Sequence, residues 1–229
     1  MKVTSYGHAC FSVEVGEKTL LFDPFITPNP LAASIDISLL KPDYILLSHG
    51  HSDHVADTEV IAKQSGAMLI ANYEVVLWFQ AKGIENLHGM NTGGSWTFDF
   101  GRVTYTAAIH SSCMPDGSYG GQPGGFLVET SEGAFYYSGD TALTQDMKLI
   151  PTKLKSEKLK FAALCLGGNF TMDAEDAATT AEWIGCDEIF GVHYDTFPLI
   201  VIEPEAAKAA FATKGKNLHL LPVGGTMEF

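Results

Sequence analysis

The stretch Ser48-His49-Gly50-His51-Ser52-Asp53-His54 places four side chains able to bind a metal ion within six residues, and the rest of the 229-residue chain is read outward from it. It follows Tyr44-Ile45-Leu46-Leu47, an unbroken apolar run of the kind a strand buried on both faces shows. It runs into a helical pattern over Asp53–Ser65, with Ser52 as cap, Val55, Ile61 and Ala62 as apolar face and Gly66 as stop. Such a cluster would arise by chance on the order of once in two thousand chains of this composition, so it is specific for a short motif. In extended backbone His49 and His51 point to one side, and Gly50 removes the side chain between them. Asp53 and His54 then fall in the first helical turn, about 100° apart in direction. Two imidazoles can serve one ion while Asp53 and His54 serve a second, the helix N-terminus favouring the carboxylate.

On either side, strand-like and helical patterns alternate. Val3–Val15 and Thr19–Phe22 flank a hairpin turn at Gly16-Glu17, and Asp23-Pro24-Phe25 breaks the pattern. Ala67–Ala71 reads as a strand, Tyr73–Lys82 as a helix closed by Gly83, and Val103–Ile109 as a strand. The second half repeats the alternation. Phe126–Thr130 and Ala134–Ser138 form a hairpin around Glu132-Gly133. Phe161–Leu166 and Ile189–Val192 are buried strands, Ala174–Ile184 a helix capped by Asp173, Glu205–Thr213 a last helix and Leu218–Leu221 a last strand. This predicts a single layered α/β domain over 1–229, sheet inside and helices outside, with two halves of similar order.

Three further candidates stand where apolar runs stop: His110, Asp140 in Ser138-Gly139-Asp140-Thr141, and His193. Strand ends along one sheet edge are where open α/β layers place ligands. Five histidines and two aspartates then suffice for two ions with Asp140 bridging. The donors suit Zn, and also Mn or Fe. A structural zinc site is closed and usually rich in cysteine, whereas this cluster is free of cysteine and points to reactive chemistry. His88 and His219 have no such setting.

Composition narrows the rest. A net charge of −13 and a pI near 4.9, with lysines scattered apart from a solvated stretch at Lys153, Lys155, Lys158 and Lys160, disfavour nucleic acid and anionic lipid as partners. No basic leader or membrane-length apolar run is present, and Cys10, Cys113, Cys165 and Cys186 are widely spaced. These features suggest a reducing, cytoplasmic setting. The expected partner is a small-molecule substrate, and a homo-oligomer is compatible with the sequence.

The motif His49-x-His51-x-Asp53-His54 with His110, Asp140 and His193 resembles the metal signature of the metallo-β-lactamase fold superfamily, across essentially the whole chain. Gly7-His8-Ala9, Phe22-Asp23-Pro24, Ser138-Gly139-Asp140-Thr141 and Gly168-Asn169-Phe170-Thr171-Met172 look like the small stand-alone metal-dependent hydrolases related to ascorbate-6-phosphate lactonases. Gly168 and Asp173 depart from that subgroup, which commonly has an acidic residue and a glycine there. The resemblance implies a four-layer αββα sandwich of two mixed sheets with outer helices. It implies His49, His51 and His110 on one metal, Asp53, His54 and His193 on the other, Asp140 shared and His8 nearby.

The expected chemistry is hydrolysis of a small lactone, ester, amide or phosphodiester by a water that bridges two divalent ions and is deprotonated to hydroxide. Asp53 orients the nucleophile, and His8, Asn169 and Tyr194 are candidate donors to the oxyanion. The alternatives are a di-iron oxidoreductase, for which the chain leaves no room for a flavin domain, and a non-catalytic metal-dependent binding module. Met114–Gly125, rich in glycine and proline, is expected to face the substrate.

Overall fold

The structure, a computed structural model, describes residues 1–155 and 158–229. The lysine stretch from 153 to 160 crosses positions 156 and 157, which lie outside the described residues, and its four lysines are exposed.

The first half lays down β1 (Lys2–Gly7), β2 (Cys10–Val15), β3 (Lys18–Phe22), β4 (Tyr44–Leu46), α1 (Ser52–Val55), α2 (Thr58–Ser65), β5 (Met68–Asn72), α3 (Tyr73–Ala81) and β6 (Leu87–Met90). The second half adds β7 (Ser95–Phe98), β8 (Gly101–Ala107), β9 (Gly124–Thr130), β10 (Gly133–Tyr137), α4 (Ile150–Lys153), β11 (Leu159–Cys165), α5 (Ala174–Trp183), β12 (Glu188–Val192), α6 (Pro204–Ala212), β13 (Asn217–His219) and β14 (Thr226–Glu228).

The strands form two seven-stranded mixed sheets, β14-β1-β2-β3-β4-β5-β6 and β13-β12-β11-β10-β9-β8-β7. In the first, β14, β1, β2 and β3 pair antiparallel, and β3, β4, β5 and β6 pair parallel. The second follows the same path, antiparallel through β7, β8, β9 and β10, then parallel through β11, β12 and β13. The similar order of the two halves is thus present in the topology, except that β14 comes from the far end of the chain.

Period-two alternation explains the layering. Leu20, Phe22, Leu46, Ile70, Phe126, Val128, Phe135, Tyr137, Phe161 and Phe190 point between the sheets. Their neighbours point outward. Leu21, Ile45 and Leu69 meet Val55, Ile61, Val75 and Phe79 of α1, α2 and α3. Leu127, Tyr136, Leu164 and Ile189 meet Ile150, Ala177, Ala181 and Phe211 of α4, α5 and α6. Three apolar interfaces make four layers, αββα, as the resemblance implied.

Two expected elements divide. The run Val3–Val15 folds back at His8-Ala9 into β1 and β2. The helix expected over Asp53–Ser65 breaks between α1 and α2. There Asp57 leaves the helix and accepts hydrogen bonds from the backbone N–H groups of Ile26 (2.6 Å) and Thr27 (2.8 Å). Ser52 lies inside α1 rather than capping it. His51 holds the cap position and makes no capping bond. Asp173 does cap α5, accepting from Glu175 and Asp176 N–H.

Candidate metal centre

Five candidate segments leave their strands at one edge of the sandwich. Residues 49–54 follow β4, His8 follows β1, His110 follows β8, Asp140 follows β10 and His193 follows β12. The two sheets are tied there by a backbone hydrogen bond from His193 N–H to His8 O, 2.8 Å. His8, Asp23 and His193 all take left-handed backbone, at φ 54°, 41° and 60°, which non-glycine residues adopt rarely and mostly where surroundings enforce it.

The structure brings all seven metal candidates together. One ring nitrogen each from His49, His51 and His110 lie within 4.8 Å of one another, and so do one ligand atom each from His8, Asp53, His54 and His193. His49 Nε2 and His51 Nδ1 stand 2.9 Å apart. Asp140 Oδ2 lies between the groups, 2.9 Å from His193 Nε2, 3.2 Å from His54 Nε2 and 3.7 Å from His110 Nε2.

Asp23, which the sequence reading took only as a break after a strand, fixes two of these imidazoles. Its carboxylate is fully buried. Oδ1 accepts from Ser48 N–H, and Oδ2 accepts from the Ser48 hydroxyl, from Tyr137 OH at 2.6 Å and from His54 Nδ1–H at 2.8 Å. Because the Ser48 proton goes to Asp23, Ser48 Oγ accepts from His49 Nδ1–H, 2.9 Å away. Both rings therefore commit Nδ1–H to these acceptors and turn Nε2 into the cluster, the role that groups behind ligating histidines play. A second brace is Thr141, whose Oγ1 accepts from Ile109 N–H beside His110 and whose carbonyl accepts from Met172 N–H.

Burial dominates the protonation of His49, His51 and His110, pushing all three imidazoles below their ordinary value and so toward the metal-binding form. Burial also pushes His54 down, but Asp140 and Asp23 outweigh it and hold its pKa well up. Burial pushes the Asp140 carboxyl up, and His193 and His54 reverse that and hold it low. For Asp53 the upward push of burial is overcome by the His8 hydrogen bond and by His54.

The residues fit a metal group. His54 Nε2 and Asp140 Oδ1 are buried with no hydrogen-bond partner, the condition of ligand atoms facing a cation. All donors are imidazole or carboxylate, suited to Zn, Mn or Fe.

The expected oxyanion donors are placed otherwise. Burial lowers His8 to about 4, so it carries one ring proton at neutral pH. Nε2–H donates to Asp53 Oδ2 at 3.0 Å, and Nδ1 accepts from the Thr196 hydroxyl at 3.0 Å. No ring N–H remains for a substrate, and His8 acts on Asp53. Asn169 is an exposed turn residue (φ 53°), and its neighbour Phe170 reaches the cavity instead. Tyr194 lines a different cavity and packs against the outer core, its hydroxyl pushed by burial up to about 12.

A cavity of about 290 Å³ opens over the cluster, lined by His51, Asp53, His110, Asp140 and His193 together with Ser111, Phe170 and Phe197. No residue of Met114–Gly125 lines it. That loop is pinned away from it. Asn72 Nδ2 donates to Gly120 and Gln122 carbonyls, Trp78 Nε1 donates to Asp116, and Met114 is buried against Gly50. Ser111, Phe170, Phe197 and Asp23 are the site residues that sequence reasoning missed. Only Asp23 carried a signal, standing directly after a strand in Phe22-Asp23-Pro24.

Comparison with known proteins gives the family and the fold. The family described as "Beta-lactamase superfamily domain" matches residues 18–194. A UPF0173 metal-dependent hydrolase of Flavobacterium johnsoniae is 54% identical over 228 residues, covering 100% of both chains. Among solved structures, Igni18, a metallo hydrolase from the hyperthermophilic archaeon Ignicoccus hospitalis, superposes with a TM-score of 0.88 at 30% identity over 100% of this chain and 98% of that one. An isothiocyanate hydrolase from Delia radicum gut bacteria shares the fold, with a TM-score of 0.79 at 18% identity, over 100% and 99%.

Proposed function

This chain belongs to the beta-lactamase superfamily and is a metal-dependent hydrolase, and from that premise we propose that it works with two divalent transition-metal ions on a small-molecule lactone, ester, amide or phosphodiester. His49, His51 and His110 hold one ion, Asp53, His54 and His193 the other, and Asp140 is shared. The observation that carries this reading is the position of Asp140 Oδ2, within 3.7 Å of ring nitrogens from both sets.

Ions held by these residues would supply Lewis acidity at the substrate oxygen and make a bound water acidic enough to lose a proton near neutral pH. The remaining work falls to the chain. Asp23 and Ser48 orient His54 and His49 through their Nδ1 protons. His8 holds Asp53 through Oδ2, and the Asp53 side chain, 25% exposed, faces the cavity and orients the attacking water. Zinc is the first expectation, with Mn or Fe compatible with the same donors.

The reading is tested with His51→Ala and Asp140→Ala. Each lowers bound metal, measured by elemental analysis, and turnover of ester, lactone and phosphodiester substrates. Undiminished metal and turnover in both variants would refute it.

A further inference from the structure

We propose that the substrate presents an uncharged, apolar group, aryl or short alkyl, which seats between Phe170 and Phe197, and that substrates charged at that end are poor ones. The inference narrows the hydrolase reading and rests on it.

Apart from five ligand candidates, the cavity lining comprises Ser111, Phe170 and Phe197. Among the described residues no lysine or arginine lines it, and the chain carries a net charge of −13. A carboxylate or phosphate on the substituent would lose its water beside Asp53 and Asp140 with no protein cation to replace it. The one neutral polar side chain, Ser111, has its hydroxyl 3.4 Å from His51 Nε2, so polar recognition away from the ions is slight. The volume of about 290 Å³ lies at the small end of ligand pockets, fit for a phenyl or butyl group rather than a polymer.

The two phenyl rings are placed deliberately. Phe170 is 52% exposed and Phe197 37% exposed, yet both sit on turns fastened to the centre. The Phe170 turn is closed by Gly168 N–H donating to Met172 O at 2.9 Å and hangs on Thr141, next to Asp140, through Met172 N–H at 2.9 Å. Phe197 stands edge-on to His8 with ring centroids 5.4 Å apart, next to Thr196, whose hydroxyl binds the same ring. Large apolar side chains carried at a cavity mouth on turns fastened to the site are a recognition feature rather than loose surface.

The test uses the metal-loaded protein with 4-nitrophenyl butyrate and mono-4-nitrophenyl succinate, which differ in the charge at the acyl end, and with bis(4-nitrophenyl) phosphate. The butyrate is expected to have the highest kcat/KM, by tenfold or more. Phe170→Ala and Phe197→Ala should each raise its KM roughly tenfold, the equivalent of about 1.4 kcal/mol of binding, with kcat and metal content little changed, and Phe170→Leu should restore most of the affinity. Saturation-transfer NMR with benzyl alcohol, a neutral non-substrate, should give ring signals that fade in both alanine variants. Equal or faster turnover of the succinate, or a KM and NMR response indifferent to both phenylalanines, overturns the inference while leaving the hydrolase reading intact. If the fully loaded protein hydrolyses none of the three, the ester and phosphodiester readings fall, and an NMR response that ignores both phenylalanines overturns the aromatic seat independently.

Discussion

Asp23 shows how much of this centre depends on a residue that stands behind its histidines and does not line the cavity. It accepts hydrogen bonds from Ser48, His54 and Tyr137 at once, and through them fixes which nitrogen two histidines present. Asparagine has nearly the same shape but offers an N–H in place of one acceptor oxygen. Asp23→Asn should therefore flip or unlatch the His54 ring and weaken metal binding 10- to 100-fold, read by competition with a chromogenic chelator. Unchanged affinity would mean that Asp23 is merely structural. The seven ligand candidates were legible because their residue types and spacing are improbable by chance. Asp23 was not, because its meaning depends on Tyr137, 114 positions away. The same limit hid Phe170 and Phe197, which in sequence look like any exposed aromatic residue. It also misassigned His8, whose partners Asp53 and Thr196 meet only on folding.

Among the elements, the alternating and continuous apolar strands were legible because burial imposes a two-residue period on them. The edge strands β6, β7 and β14 were not. They are three or four residues long and partly solvated, β7 showing no buried residue at all, so no period is imposed. The break between α1 and α2 was equally hidden, since Asp57 answers to backbone groups of residues 26 and 27. Gly50 joins these scales. A Cβ there would lie 2.5 Å from Met114 Sδ and 3.1 Å from Cys113 O, so a side chain at residue 50 displaces Met114 and crowds the loop that passes over the His49–His51 turn. Gly50→Ala should destabilise the fold by about 1–3 kcal/mol through overpacking, measured by urea unfolding. In a Met114→Ala background the added loss should be smaller, because the nearest clash is gone. Strict additivity would point to a backbone origin.

For the whole molecule, the same layering that buries the core also sets its thiol chemistry. Cys113 is exposed, whereas Cys10, Cys165 and Cys186 are buried. Burial pushes the Cys165 thiol up to about 11 and Cys186 up to about 12, against an ordinary value of about 8.5. At pH 8 a disulfide reagent should label one thiol promptly and the other three only as the fold opens. A thiol whose pKa is raised on folding keeps a proton that the unfolded chain releases. Stability should therefore fall as pH climbs from about 8.5 toward those higher values, and Cys165→Ala should flatten that slope in thermal melts. Prompt labelling of two or more thiols would contradict the described packing.

The hydrogen bond from His193 to His8 marks where the two sheets close on each other, and it has a bearing on synthesis. Residues 49–54 belong to the first sheet's half of the chain, while 110, 140 and 193 arrive with the second. A growing polypeptide leaving the ribosome thus lacks part of this candidate donor set until position 193 has emerged and docked. The full set of candidate donors is therefore complete only when both halves of the sandwich are in place.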